Sequence, residues 1–190
     1  YGTVETAQLA PAETIAIFGV TGGVGGAVAQ VARSLGAKVI GVSRRPPGPE
    51  TPAAAAIDHF VALHPGADIG SEIRGLTGGK GADVVYDAVG GLTTGAALAA
   101  LARRGRLVVI SAVGSGAVDI NLLDLYHNET RILSTDSGKL SVVDSAQRLQ
   151  TMASYFESGE FRPLPISDTY SLDDGRQAYQ AVADRVAGRV

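Results

Sequence analysis

The chain has 190 residues, 25 of them glycine and none cysteine or tryptophan, with 16 basic against 19 acidic side chains and a net charge of −3. That is enough chain for one domain with a full core, and it excludes disulfides, thiolate nucleophiles and cysteine-bound zinc; the missing thiols fit a cytoplasmic protein. The mixed, slightly acidic charge carries no nucleic-acid footprint, and no apolar run approaches the roughly 20 residues that cross a bilayer.

In chain order, residues 1–9 read as the end of a helix, stopped at Ala10-Pro11. Ile15, Ala16, Ile17 and Phe18 form an apolar run with the length and content of a buried strand, and Gly19, Gly22, Gly23, Gly25 and Gly26 follow at once. Residues 27–35 carry apolar side chains at helical spacing until Gly36 stops them, and residues 39–42 read as a second strand. Pro46-Pro47-Gly48-Pro49 then forces an extended loop. Beyond it the pattern predicts a short helix at 53–57, a strand at 60–62 and a helix over 69–76, stopped by Thr77-Gly78-Gly79. A strand at 82–86, a helix at 92–102, a strand at 106–111, a helical turn at 122–127 and a strand at 131–134 follow, then helices over 141–158 and 172–187. Strands alternating with helices give parallel strands joined by right-handed crossovers. The expected fold is α/β, a Rossmann-like doubly wound parallel sheet in three α/β/α layers.

The glycine-rich turn carries the chemistry. Strand, glycine turn, helix and second strand make the unit that holds a dinucleotide. One glycine lets the chain turn off the strand, one lets backbone approach a pyrophosphate, and one lets helix pack closely on strand. The spacing runs Gly19-x-x-Gly22-x-x-Gly25, one residue longer in the turn than G-x-G-x-x-G. The pyrophosphate belongs at the helix N-terminus, on free N–H groups and the positive end of the dipole. The NAD-binding form of this unit places an acid about 20 positions on, against the ribose 2′-hydroxyl. Twenty-one positions past Gly22 stands Ser43, then Arg44 and Arg45, and the next acid is Glu50 beyond the proline loop. A hydroxyl and two guanidiniums suit a 2′-phosphate, so NADP(H) rather than NAD(H) is the expected cofactor. The missing acid is the firmer half of that argument; a solvated loop is the other reading of the two arginines.

With these residues in hand, the chain resembles the medium-chain dehydrogenase/reductase superfamily, most closely its zinc-independent quinone oxidoreductase and enoyl reductase branch. Gly19-Val-Thr-Gly-Gly-Val-Gly25 is similar to that branch's G-A-[ST]-G-G-V-G turn, and Tyr86-Asp-Ala-Val-Gly-Gly91 to its fourth strand and turn. Gly105-Arg-Leu-Val-Val-Ile-Ser-Ala-Val-Gly114 is similar to its fifth strand, residues 122–135 to its closing segment and residues 170–179 to its C-terminal helix. The resemblance implies a pyrophosphate cradle at Thr21, Gly22, Gly23 and Val24, a 2′-phosphate site at Ser43 and Arg44 with Arg45 beside them, and His64 near the adenosine. It places Val89, Gly90, Ser111, Ala112 and Val113 along the nicotinamide. Core packing is the alternative for Val89 and Val113, and a surface loop for His64.

The resemblance further implies hydride transfer from NADPH to a small-molecule enone, quinone or enoyl thioester, with no protein acid at the reacting carbon. A GroES-like domain would form the other wall of the cleft, and this sequence leaves no room for it. Residues 1–12 match the end of the connecting helix, 13–165 the core and 166–190 the C-terminal helical segment of a single cofactor domain, expected to bind NADPH and to turn over little alone. A non-catalytic NADPH-binding or structural module of a larger protein is the alternative. Edge-to-edge homodimers through Arg131–Ser134, beside Leu122, Leu123, Leu125 and Tyr126, are implied too, unless the last helix buries that edge.

The rivals fit less well. Thr21-Gly22-x-x-x-Gly26 mimics the opening of a short-chain dehydrogenase, but Lys38, Lys80 and Lys139 each lack the tyrosine four positions earlier that such chemistry needs, and Val28 stands where that family has glycine. His59, His64 and His127 form no zinc-ligand cluster, and nothing marks a nucleophile elbow.

Overall fold

The computed structural model describes residues 1–184 and 188–190. Six parallel strands form one sheet: β1 (Thr14–Phe18), β2 (Lys38–Ser43), β3 (His59–Ala62), β4 (Ala82–Asp87), β5 (Leu101–Val109) and β6 (Arg131–Ser134), in the order β3-β2-β1-β4-β5-β6. The helices are α1 (Gly23–Ser34), α2 (Pro52–Ala56), α3 (Ile69–Leu76), α4 (Thr94–Ala99), α5 (Leu122–His127), α6 (Val142–Glu157) and α7 (Gly175–Ala183). The chain therefore reverses its direction of travel across the sheet at β1 and β4. Ligands of open α/β sheets lodge at such a switch point, outside the carboxyl ends of the strands.

Both faces of the central strands are covered, which is why they read as near-continuous apolar runs. Alternation sorts them: Ile15 and Ile17 pack with Val28, Ala29 and Ala32 of α1, while Ala16 and Phe18 pack with Ile69 and Ile73 of α3 and Ala97 of α4. The expected span 69–76 is the observed α3, where Asp68 caps the helix by accepting from the Ser71 N–H. Those for α5 and β6 match residue for residue.

Five elements differ from the sequence pattern in type or by more than one residue in their bounds. Residues 1–9 hold only a short π-helical turn, Gly2–Thr6. α1 opens at Gly23, four residues before the expected start at 27, because burial of Gly25 and Gly26 against the sheet outweighs the low helix propensity of glycine. The helix expected over 92–102 ends at Ala99, and Leu101 is already in β5, paired with Ala82. β5 then bulges: the next registered pair is Val84 with Arg106, and the intervening residues include Arg104 at φ 64°. That strand, expected over 106–111, leaves the ladder after Val109. The final helix, expected over 172–187, is a 3₁₀ turn at Leu172–Asp174 followed by α7, and residues 185–187 lie outside the described residues.

The C-terminal third clings more loosely. α6 and α7 have no buried residue; Arg148 of α6 bonds Glu5 at 2.6 Å and lies 5.1 Å from the Tyr1 ring centroid, and Phe161 is tucked in against Tyr155. Among the described residues β6 pairs only with β5, and Arg131, Ile132 and Ser134 are exposed. No described helix is long and apolar enough to cross a membrane.

Candidate functional site

The turn after β1 is built by close approach. A Cβ on Gly25 would sit 2.2 Å from the Gly19 carbonyl oxygen, so only glycine lets the first turn of α1 press against the chain leaving β1. Thr21, Gly22, Gly23 and Val24 are exposed above it, and the Gly22 N-cap has no side chain to bond. The first N–H groups of α1 thus face the crevice without a side-chain cap, a cradle that an anion fits.

At the end of β2, Ser43 is buried and its hydroxyl donates to the Arg45 carbonyl at 2.5 Å. Arg44 and Arg45 are exposed, and neither forms an ion pair among the described residues. The next strand brings His64 to the same edge, because Ala62 registers with Ser43 and the Leu63 N–H donates to the Ser43 carbonyl at 2.8 Å. His64 itself is an exposed loop residue, its Nδ1 3.2 Å from the Pro65 carbonyl.

On the other side of the switch point, the turns after β4 and β5 touch. A Cβ on Gly90, which sits at φ 72°, would overlap the Ser111 carbonyl oxygen, and the Val113 N–H donates to the Val89 carbonyl at 3.2 Å. Val89 reaches across towards β1, its Cγ2 3.0 Å from where a Gly19 Cβ would stand. Val113 is 47% exposed, which removes core packing as its role, while Val89 and Ser111 are half-buried and Ala112 is exposed.

The thirteen residues singled out from the sequence therefore line one edge of the sheet in spatial order: His64 beyond β3, Ser43, Arg44 and Arg45 beyond β2, Thr21 to Val24 beyond β1, Val89 and Gly90 beyond β4, and Ser111, Ala112 and Val113 beyond β5. With strands about 4.8 Å apart, β2 and β5 are roughly 14 Å from one another, a span suited to an extended dinucleotide. A cavity of about 450 Å³ lies elsewhere, between α4 and α5 towards the strand beginnings, lined by Leu98, Leu101, Ile120 and Leu125.

Two features of this edge were not legible beforehand. Arg189, held by a bridge to Ile166 and by its N–H donating to the Pro165 carbonyl at 2.7 Å, sends a guanidinium nitrogen to 3.7 Å from where a Gly23 Cβ would be. It adds a positive charge at the N-terminus of α1, from a position far away in sequence. Asp87, at the end of β4, is fully buried and accepts hydrogen bonds from the Val89 and Gly90 N–H groups and the Thr93 and Thr94 hydroxyls. No group of three or more potential metal ligands occurs among the described residues.

Comparison with known proteins agrees with this geometry. A family model described as zinc-binding dehydrogenase matches residues 23–156. A quinone oxidoreductase of Rattus norvegicus is 27% identical over 177 residues, covering 93% of this chain and 53% of the rat protein. An NAD-dependent alcohol dehydrogenase of Sulfurisphaera tokodaii is 29% identical over 180 residues, covering 94% of this chain and 49% of its own. A mycobacterial structure complexed with NADPH superposes with a TM-score of 0.83 at 23% identity, covering 99% of this chain and 59% of that one. The chain spans about half the length of the curated relatives it matches. By its glycine turn, its sheet order and these matches, the chain belongs to the zinc-binding dehydrogenase family, as a nucleotide-binding domain of the quinone oxidoreductase-like branch of the medium-chain dehydrogenase/reductase superfamily.

Proposed function

We propose that the chain is the NADPH-holding half of a reductase that passes hydride to an electron-poor small molecule such as an enone, a quinone or an enoyl thioester. The observation that carries the reading is the pair of exposed guanidiniums at the end of β2, without an ion pair among the described residues, where an NAD-binding unit would present a carboxylate. Arg44 and Arg45 would take the 2′-phosphate through parallel hydrogen bonds. Ser43 supports the turn through its bond to the Arg45 carbonyl and reaches phosphate only if its hydroxyl turns. Gly23 and Val24 would donate backbone N–H groups to the pyrophosphate, over a Gly22 whose own N–H donates to the Gly19 carbonyl at 2.9 Å, with Arg189 adding charge.

When bound, the cofactor supplies the hydride; the residues of this chain orient it. Val89, Gly90, Ser111, Ala112 and Val113 form one wall, and the contact between their two turns fixes its shape. The other wall, and with it the substrate pocket, would come from a second, GroES-like domain, so the 190-residue chain binds cofactor with little turnover alone. The free outer edge of β6 is where a second copy would add its strand, with Leu122, Leu123 and Tyr126 exposed nearby.

The test is a fluorescence titration of the chain with NADPH and NADH. NADPH should bind more tightly, and Arg44→Ala should weaken NADPH by about tenfold while leaving NADH unchanged. Equal affinities in the unaltered chain would remove the 2′-phosphate assignment, and binding of neither would remove the cofactor reading.

A further inference from the structure

Asp87 is the only carboxylate or cationic side chain that is buried among the described residues, and it has no basic partner there. Its hydrogen bonds show how it is tolerated. Oδ1 accepts from the Val89 N–H at 3.1 Å, the Gly90 N–H at 2.8 Å and the Thr93 hydroxyl at 2.7 Å, and Oδ2 accepts from the Thr94 hydroxyl at 2.9 Å. Two of these donors are backbone amides and cannot act as acceptors, so Oδ1 can only accept, while Oδ2 meets a single hydroxyl. A buried charge held by dipoles alone still lacks the counter-charge that would offset its desolvation. A neutral amide would hold the same turn at lower cost, so the turn's shape alone does not account for an acid here. The two residues whose amides bind it, Val89 and Gly90, form the turn after β4 at the switch point.

We propose that Asp87 is a fixed counter-charge beneath the nicotinamide wall, favouring the oxidised cofactor, whose ring is positive, over the reduced one, whose ring is neutral. The inference rests on the dinucleotide reading above. In the reduction, a C–H bond of the dihydropyridine ring breaks and its two electrons and hydrogen form a bond to the acceptor. The acceptor then takes one proton from solvent, and one positive charge is left on the ring. A buried anion close by lowers the free energy of that charge, in a medium where water screens it poorly. Asp87 touches no substrate; it acts through its charge and through the amides that it holds.

Asp87→Asn separates the two roles. The amide oxygen keeps the Val89, Gly90 and Thr93 bonds, the amide nitrogen donates to the Thr94 hydroxyl, and only the charge is lost. The unaltered chain and the variant are titrated with NADPH, NADP⁺ and the ring-less fragment 2′-phospho-ADP-ribose, with thermal melting as the check on folding. In Asp87→Asn, NADP⁺ should weaken by about tenfold relative to NADPH, with the fragment unchanged. Thr94→Val, which removes one hydrogen bond and keeps the charge, should leave the ratio of NADP⁺ to NADPH affinity where it was. NADP⁺ and NADPH weakening together in Asp87→Asn, or neither changing, overturns the proposal and leaves the cofactor reading standing. Should Asp87→Asn not fold, the unaltered chain decides: NADP⁺ must gain more affinity over the fragment than NADPH does, and the reverse or equal gains overturn the proposal. An unaltered chain that binds none of the three sinks the dinucleotide reading and this inference with it.

Discussion

Two arginines separate the two phosphate groups of the account. Arg44 follows the end of β2, the proposed site of a 2′-phosphate, whereas Arg189 stands over the first turn of α1, the proposed site of the pyrophosphate that both forms of the dinucleotide carry. Arg189→Ala should therefore weaken NADPH and NADH alike, by roughly three- to tenfold, an effect that parallel titrations of both cofactors would read directly. A selective loss of NADPH would instead move the 2′-phosphate to Arg189. Arg44 was legible from the sequence because its distance from the glycine turn is a local property of one strand–helix–strand unit. Arg189 was not, because only the bridge between Ile166 and Arg189 brings the chain end back to Gly23. Asp87 stood out only as one member of the Tyr86–Gly91 motif, since its role rests on burial and on hydroxyls six and seven residues on, which no spacing rule reports.

At the scale of elements, the periodic patterns gave the order and type of every strand and of the helices from α1 to α6, and failed where packing overrides propensity. Leu98, Ala99, Ala100, Leu101 and Ala102 are all acceptable helix residues; the ladder pair of Leu101 with Ala82 decides that the last two belong to β5. Likewise, Gly23, Gly25 and Gly26 would be poor helix formers in isolation, and join the first turn of α1 because Gly25 and Gly26 are buried there. The same contrast predicts uneven stability. Ile73 of α3 is fully buried, so Ile73→Ala should cost about 3 kcal/mol in urea unfolding. Leu149 of α6 is 64% exposed, so Leu149→Ala should change stability by less than about 0.5 kcal/mol. A large cost at Leu149 would mean that α6 is covered in solution by something that buries its outer face.

The molecule as a whole is tied together by a few long-range ionic contacts, of which Arg106 makes the most enclosed. It reaches Glu13 through both guanidinium nitrogens, at 2.9 and 2.6 Å, and donates to the Ala7 carbonyl at 2.8 Å, fastening the N-terminal segment to β5. The hydrogen bond from Arg106 holds the Glu13 carboxyl below its usual 4.5, against the opposing effect of burial. A carboxyl depressed in the folded state stabilises above its unfolded value and loses that contribution as pH falls through the folded one. Unfolding free energy should accordingly be flat from neutral pH down to about 5 and fall below 4.5. Arg106→Ala should cost about 2 kcal/mol at pH 7 and less at pH 3, a difference that melting curves at the two pH values would show.

The proposed nicotinamide dinucleotide would lie along the carboxyl edge of the sheet, from β2 to β5. Mapping amide chemical shifts of the isotope-labelled chain during titration with NADP⁺ tests that placement most directly. The largest changes should fall at Gly22, Gly23, Val24, Arg44, Gly90 and Val113, with none around Leu98, Leu125 and Asn128 in the cavity between α4 and α5. Changes centred on that cavity, or none at saturating NADP⁺, would contradict it.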